Sequence, residues 1–340
     1  MLAYLFLLSI PSLFALVFPS KRHVNLLLLF LFLVYILFIG FRYETGSDWP
    51  AYQKMFDVMS ELTLVDSLFY TEPGYAALNW FLAKQGLTLL SVNVVVAIIF
   101  ITGLVRFAKI MPNPSLALVS VTPYLIIVIG MSATRQSAAI GFVFLVLANW
   151  NKSSLSKISY SLLAISFHYS AVVVLFFVLY NMKIRAWMKW VILIVGSVVS
   201  LYVLKDTSKI MEYNQTYRVV NIVSPGAIQH AMLNVMPAII YLLFRKRWHR
   251  IYGNVDLINI LAIASLISMA LVFVSSTAID RLALYLSPIQ MFVYSSFPVV
   301  FKKQLYAIGI IIMHFLILYL WLGYSNTAHA FLPYTNWLQL

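Results

Sequence analysis

The stretch VNLLLLFLFLVYILFIGF, Val24–Phe41, carries no charge and then breaks abruptly into RYETGSDWPAY, Arg42–Tyr52. An uncharged run of this kind is read as a membrane span, since about 20 apolar helical residues cross a hydrocarbon core of roughly 30 Å. In that core no water meets the peptide groups, so the run satisfies its own N–H and C=O groups as a helix. The polar string behind it marks the place where the chain leaves the membrane. Similar runs recur near 2–18, 88–105, 115–131, 136–150, 158–181, 187–204, 227–244, 255–275, 282–300 and 304–323. Over the 340 residues, 63% are hydrophobic and 10% charged, against about a quarter charged in soluble domains. The expected fold is therefore all-α, a single polytopic transmembrane helix bundle over 1–340, and soluble two-domain enzymes are excluded. No internal repeat, low-complexity tract or soluble domain interrupts it.

The charges orient the bundle. The net charge is +13, but the basic residues sit in short clusters between apolar runs and no nucleic-acid-binding motif is present, so nucleic acid is not an expected partner. The clusters are Lys21-Arg22, Arg106/Lys109, Lys152/Lys157, Lys183/Arg185/Lys189, Arg245-Lys246-Arg247/Arg250 and Lys302-Lys303. Placed together on the cytoplasmic side, as short loops between spans require, they hold 15 of the 23 basic residues and one acid, Asp256. The opposite side keeps 8 basic residues and 9 acids. The N-terminal run has no basic residue before it and reads as a retained span, not a cleaved signal. The run 158–181 lies between two basic clusters, so it is read as a re-entrant hairpin turning at Phe167-His168-Tyr169-Ser170, or alternatively as one tilted span. The hairpin reading predicts about ten crossings with both termini outside. It leaves outer segments at about 42–87, 205–226 and 324–340, the first with a predicted amphipathic helix over 73–85.

Chemistry is then confined to the outer loops and the membrane interior. With no cysteine in the chain, disulfides, thiolate metal sites and cysteine nucleophiles are excluded. No HExxH, paired-His or DxD pattern occurs, and neither a metal nor a cofactor is expected. At Arg42–Tyr52 the aromatics read as a headgroup belt, but Arg42, Glu44 and Asp48 beside them make a polar cluster that binds something. Arg135, in Met131-Ser-Ala-Thr-Arg135-Gln136, sits at the start of an inward-running helix, where the dipole already supplies positive charge. Arg281, in Thr277-Ala-Ile-Asp280-Arg281, is expected at an equivalent start. Such arginines suit an anion held by free N–H groups and guanidinium together, with phosphate or pyrophosphate as the natural ligand. Arg281 reads equally as a partner of Asp280 or a snorkelling side chain. Arg218 in the second outer segment is a weaker anion ligand. Glu72, in Glu72-Pro73-Gly74-Tyr75, is either a helix-start acid or an acid/base or sugar ligand. His168 is either a hydrogen-bonded structural residue or a general base. The remaining histidines, at 23, 230, 249, 314 and 329, form no pattern.

These blocks, in order, resemble the EpsG/Wzy-like polysaccharide polymerases. The resemblance rests on Arg42-Tyr43 through Gly46-Ser47-Asp48-Trp49 and Tyr52, then Glu72-Pro73-Gly74-Tyr75. Arg135-Gln136 with Ala139, Phe167-His168-Tyr169-Ser170-Ala171, Arg281 and Pro333-Tyr334-Thr335-Asn336 complete it. It implies a GT-C-like bundle in the bacterial inner membrane, its termini periplasmic. The activity implied is that of an O-antigen or exopolysaccharide polymerase, a metal-independent glycosyltransferase. Its partners would be undecaprenyl-pyrophosphate-linked glycans, membrane lipid and a chain-length regulator protein. On that reading Arg42, Arg135, Arg218 and Arg281 hold pyrophosphate, Asp48, Glu72 or His168 takes the acceptor's proton, and Trp49, Tyr52, Tyr75 and Trp80 pack on sugar faces. A ligase would use the same groups. A flippase predicts charges along a path between both faces, whereas here they gather at the outer mouths.

Overall fold

A computed structural model of the chain describes residues 1–17, 24–182, 185, 187–188, 191, 226–253 and 255–339. Every regular element among these is helical. In chain order they are α1 (Leu2–Val17), α2 (Val24–Gly40), α3 (Trp49–Glu61), α4 (Leu64–Tyr70), α5 (Pro73–Lys84), α6 (Leu89–Lys109), α7 (Pro114–Ser132) and α8 (Thr134–Ala148). There follow α9 (Ser154–Phe167), α10 (Tyr169–Asn181), α11 (Ala227–Leu243), α12 (Arg245–Tyr252), α13 (Asp256–Leu271), α14 (Ser276–Leu286), α15 (Pro288–Val300) and α16 (Leu305–Tyr324). The expected run 187–204, the segment 205–226 apart from Gly226, and Arg218 lie outside the described residues.

Among the described residues three helices, α6, α7 and α16, are long and apolar enough to cross a membrane singly, and the number rises to five if α11 with α12 and α14 with α15 each form one bent span. The ten crossings read from hydropathy are not reached on this criterion. The reason is length: α1 and α2 have 16 and 17 residues, about 24–26 Å of helix against a core of roughly 30 Å. The bend of 79° after α11 comes where α12 begins its run of Arg245, Lys246, Arg247, His249 and Arg250, which hydrocarbon does not accept. The chain is a multi-pass membrane protein by its apolar helices.

The centre of the bundle is α6 and α8, which approach until Gly103 and Gly141 touch: a Cβ on Gly103 would fall 1.9 Å from the Gly141 carbonyl oxygen. Small residues at a crossing permit this backbone contact, which drives helix pairing in a medium without a hydrophobic effect. Helix α7 is almost wholly inside the protein. Its stretch Thr122–Ile129 is wound as a π-helix, with Pro123 in its first turn. Proline has no N–H to donate and crowds the preceding turn, so a wider local winding relieves it.

The segment between the third and fourth basic clusters doubles back. Helix α9 ends at Phe167, His168 is extended (φ −158°, ψ 122°), and α10 returns. Lys157 Nζ, near the start of α9, bonds Asn181 Oδ1 at the end of α10, and donates to the Trp150 carbonyl at 3.1 Å.

The segment 42–87, expected outside the membrane, is helical over most of its length. Besides α5, close to the predicted 73–85, it folds α3 and α4, which were not expected. The C-terminal segment beyond α16 clasps the exit of α2. Tyr43 N–H donates to Thr335 O at 3.0 Å, Trp337 N–H to Phe41 O at 2.8 Å and Gly46 N–H to Ala330 O at 2.8 Å. The Tyr334 ring stacks on Phe38 at 4.1 Å.

Candidate functional site

The basic clusters Arg106/Lys109, Lys152 and Lys302/Lys303 follow or end α6, α8 and α15. The motifs read from the sequence gather at the other end of these helices. They are placed by two close approaches. Gly46 has φ +110°, a conformation few side chains accept, and a Cβ there would lie 2.3 Å from Met131 O. The turn therefore presses onto the end of α7, where Ser47 Oγ meets Ser132 Oγ at 2.6 Å and Asp48 N–H donates to Ser132 Oγ at 3.2 Å. Gly74 rests on Ser166 and Phe167, so that α5 brings Glu72 beside His168.

Glu72 is the electrostatic centre. It is 5% exposed. Its Oε2 accepts from Arg135 Nη1 at 2.6 Å and from Thr71 Oγ1 at 2.7 Å, and its Oε1 accepts from His168 Nδ1 at 2.8 Å. Burial pushes this carboxyl up, but the His168 hydrogen bond and the Arg135 guanidinium more than offset it and hold it well below the usual carboxylate range. The anion that Arg135 calls for at the mouth of α8 is thus the chain's own Glu72, 63 positions away in sequence. The Arg135 side chain remains 30% exposed. It lies over the Tyr52 ring at 5.8 Å, and its Nε is buried with no partner.

Arg42 is placed differently from an anion ligand at a mouth. It is 2% exposed. Its guanidinium donates to Ile39 O at 2.7 Å, Asn93 Oδ1 at 3.0 Å and Thr134 Oγ1 at 3.0 Å, and Trp49 covers it at 5.7 Å. It ties the last carbonyls of α2 to α6 and α8, as a basic group at a helix C-terminus should. Arg281 also departs from expectation. It lies midway along α14, in the last turn of the α-helical part Ser276–Ala283, and not in the first turn of the following span. Pro288 opens a new helix at a 45° bend. The N-terminal anion argument therefore holds for Arg135 alone, since a cation near a helix C-terminus is already favourable.

Arg281 does face open space. With Asp48, Ser132, Gln136, His230 and Asp280 it lines a cavity of about 700 Å³ at this end of the bundle. Gln136 Nε2 donates to Arg281 O at 2.9 Å, which joins the start of α8 to α14. Asp48 is exposed at the rim, within electrostatic reach of both Arg135 and Arg281. Glu72 and His168 sit behind this wall.

None of the four predicted sugar-facing aromatics lines the cavity. Tyr75 is fully buried, edge-on to Tyr52 at 5.7 Å. Trp80 Nε1 donates to Leu62 O at 3.1 Å, closing the end of α3 onto α5. Trp49 borders a second depression of about 730 Å³ with Glu44, Gln53, Asp57 and His329.

The pairing of His230 with Asp280 was missed: His230 read as one of the patternless histidines and Asp280 only as a partner of Arg281. A histidine and a carboxylate bordering apolar runs are a signal in themselves, because ionisable groups are costly there and persist where they have work to do. Their 50-residue separation hid the pairing.

A family model described as the EpsG family matches residues 25–336 of the chain. No curated protein and no solved structure matches it.

Proposed function

Because the chain belongs to the EpsG family, we propose that it is a polysaccharide polymerase that joins oligosaccharide repeat units carried on undecaprenyl pyrophosphate. The product is an O-antigen or exopolysaccharide chain, formed at the periplasmic face of the bacterial inner membrane. One observation carries the reading: Asp48 and Arg281 on the wall of one cavity, and Arg135, Glu72 and His168 clustered behind it, are far apart in sequence and gather at the end of a membrane bundle opposite the basic clusters. A lipid-linked donor needs an apolar wall for its tail, a polar cavity for its glycan and cations for its leaving group.

In the transfer, an acceptor hydroxyl oxygen bonds to the anomeric carbon of the donor glycan. The bond from that carbon to the phosphate oxygen breaks, and its electron pair leaves with the lipid pyrophosphate. The hydroxyl proton passes to a base. Charge grows on the departing pyrophosphate, so guanidinium groups set in place beforehand stabilise the transition state and no metal is required. Arg281 takes this role on the cavity wall. Arg135 assists from behind it, oriented by Glu72 and Thr71, while His168 completes the clamp on Glu72. In this reading α9 and α10 form a re-entrant pair that enters from the cytoplasmic side and delivers His168 to the site. A chain-length regulator is the protein partner this activity calls for.

The test is direct. Purified protein incubated with lipid-linked repeat units, without metal or ATP, gives a ladder of polymers, and Arg281→Ala lowers the rate about 100-fold or more. Transfer of one unit to a different acceptor would instead identify a ligase. Undiminished polymer in the Arg281→Ala protein would remove that residue from the mechanism.

A further inference from the structure

The cavity also holds a pair of side chains to which the sequence motifs assign no chemistry. His230, in the first turn of α11, holds its Nδ1 at 2.7 Å from Asp280 Oδ1, the two side chains being 22% and 21% exposed. The imidazole stacks on Tyr124 with centroids 4.0 Å apart and planes 24° apart. Tyr124 belongs to the π-helical turn of α7, and it lines the cavity with His230 and Asp280. Gly226 lies against the remaining edge of the ring: a Cβ there would fall 2.7 Å from Cε1 and 2.9 Å from Nε2. A carboxylate, a phenol face and a bare glycine thus hold one ring in one orientation.

That orientation decides its chemistry. A carboxylate at Nδ1 accepts the Nδ1–H, so the neutral ring keeps its lone pair on Nε2. When Nε2 takes a proton, the imidazolium forms beside an anion that stabilises it, the arrangement that makes a carboxylate-held histidine an effective base. His168 has a carboxylate partner as well, but neither His168 nor Glu72 lines the cavity.

We propose that His230 is the catalytic base of the transfer, accepting at Nε2 the proton of the acceptor hydroxyl, with Asp280 as its positioning residue. The assignment rests on the glycosyl-transfer reading above. The hydroxyl oxygen forms the new bond to the anomeric carbon as its proton moves to Nε2. The lipid pyrophosphate departs with the electron pair of the broken carbon–oxygen bond, beside Arg281, and the imidazolium later returns its proton to water.

The experiment uses the full chain in lipid nanodiscs and repeat units extracted, still lipid-linked, from a strain lacking the polymerase. His230→Gln and His230→Ala are expected to lower kcat by about 100-fold or more with KM within threefold of the parent, the usual scale of a lost general base. Added imidazole restores part of the His230→Ala rate. Asp280→Asn lowers kcat about tenfold or more, again with KM unchanged, and adds little to His230→Ala. Elution as a single species and an unchanged melting temperature for His230→Gln separate loss of chemistry from loss of fold. A folded His230→Gln protein with kcat within threefold of the parent overturns the assignment. So does imidazole rescue of His168→Ala in place of His230→Ala, which would move the base to α9. If the parent protein transfers no sugar from lipid pyrophosphate, the polymerase reading itself fails.

Discussion

Glu72 is the residue through which most of this end of the molecule is organised. A buried carboxylate between a guanidinium and an imidazole is costly to leave half-paired, and removing one member of such a set typically costs about 3–5 kcal/mol. Glu72→Gln should therefore lower the melting temperature in detergent well beyond what an exposed Glu61→Gln does. The depressed carboxyl also gives a pH signature. Its contribution is complete above the ordinary value of 4.5 and is lost as pH falls below it towards the lower native value. The parent protein should lose thermal stability on acidification below that point, and Glu72→Gln should show a shallower acid loss. Equal acid slopes in both proteins would mean that this carboxylate is not the responding group. In the sequence Glu72 was legible only as a helix-start acid, an acid/base or a sugar ligand. Its partners stand 63 and 96 positions away, and no local pattern encodes such a distance.

Among the elements, the turn Tyr43–Asp48 shows how backbone conformation positions chemistry. Gly46 both adopts a positive φ and touches Met131 O, whereas Gly86, at φ +72°, faces open space. Gly46→Ala should cost more than Gly86→Ala, for which backbone strain of about 1–3 kcal/mol is the only term. Thermal melts of the two variants measure the difference, and comparable losses would deny the turn its seat on α7. The helices of the outer segment were under-read for a related reason. Helix α4 carries a start signal, since Thr63 Oγ1 accepts from Asp66 N–H at 3.2 Å and donates to Asp66 Oδ2 at 2.6 Å. Helix α3 begins with Pro50 in its first turn. Neither presents a long apolar run, and hydropathy windows tuned to spans pass over short amphipathic helices. Arg281 was misplaced because Thr277–Val300 looks continuous in composition, while Ser287-Pro288 bends it.

At the scale of the whole molecule, two long-range closures carry predictions. Lys157 and Asn181 meet although 24 residues separate them, so the two ends of α9 and α10 lie on one side. The chain contains no cysteine, and single cysteines placed at Lys152 and Asn181 should react with an impermeant thiol reagent from the same side of the membrane. Labelling from opposite sides would mean that the segment crosses. The second closure is the C-terminal clasp. Tyr4 Oη–H donates to Phe331 O at 2.6 Å and Asn336 Nδ2–H to Leu37 O at 3.1 Å, so the clasp binds α1, α2 and the turn that carries Asp48. Removing residues 326–340 should lower the melting temperature and expose the Tyr43–Asp48 turn to protease. A truncated protein that melts and resists cleavage like the parent would show the clasp to be dispensable.

The sequence by itself determined the class of the protein, because 18 uncharged residues in a row leave the backbone no partner but itself, and its charges divide into basic clusters and mixed polar motifs that the fold sets at opposite ends of the helices. It also held the family blocks in their order. Tertiary structure alone decided which of those residues meet. It turned Arg42 inward to close α2, gave Arg135 an internal counter-ion, and set Arg281 on the wall of a cavity that also holds a histidine–aspartate pair. Those outcomes depend on helix crossings, the π-helical winding at Pro123, the bend at Pro288 and contacts across dozens of positions, which act through space and leave no period along the chain.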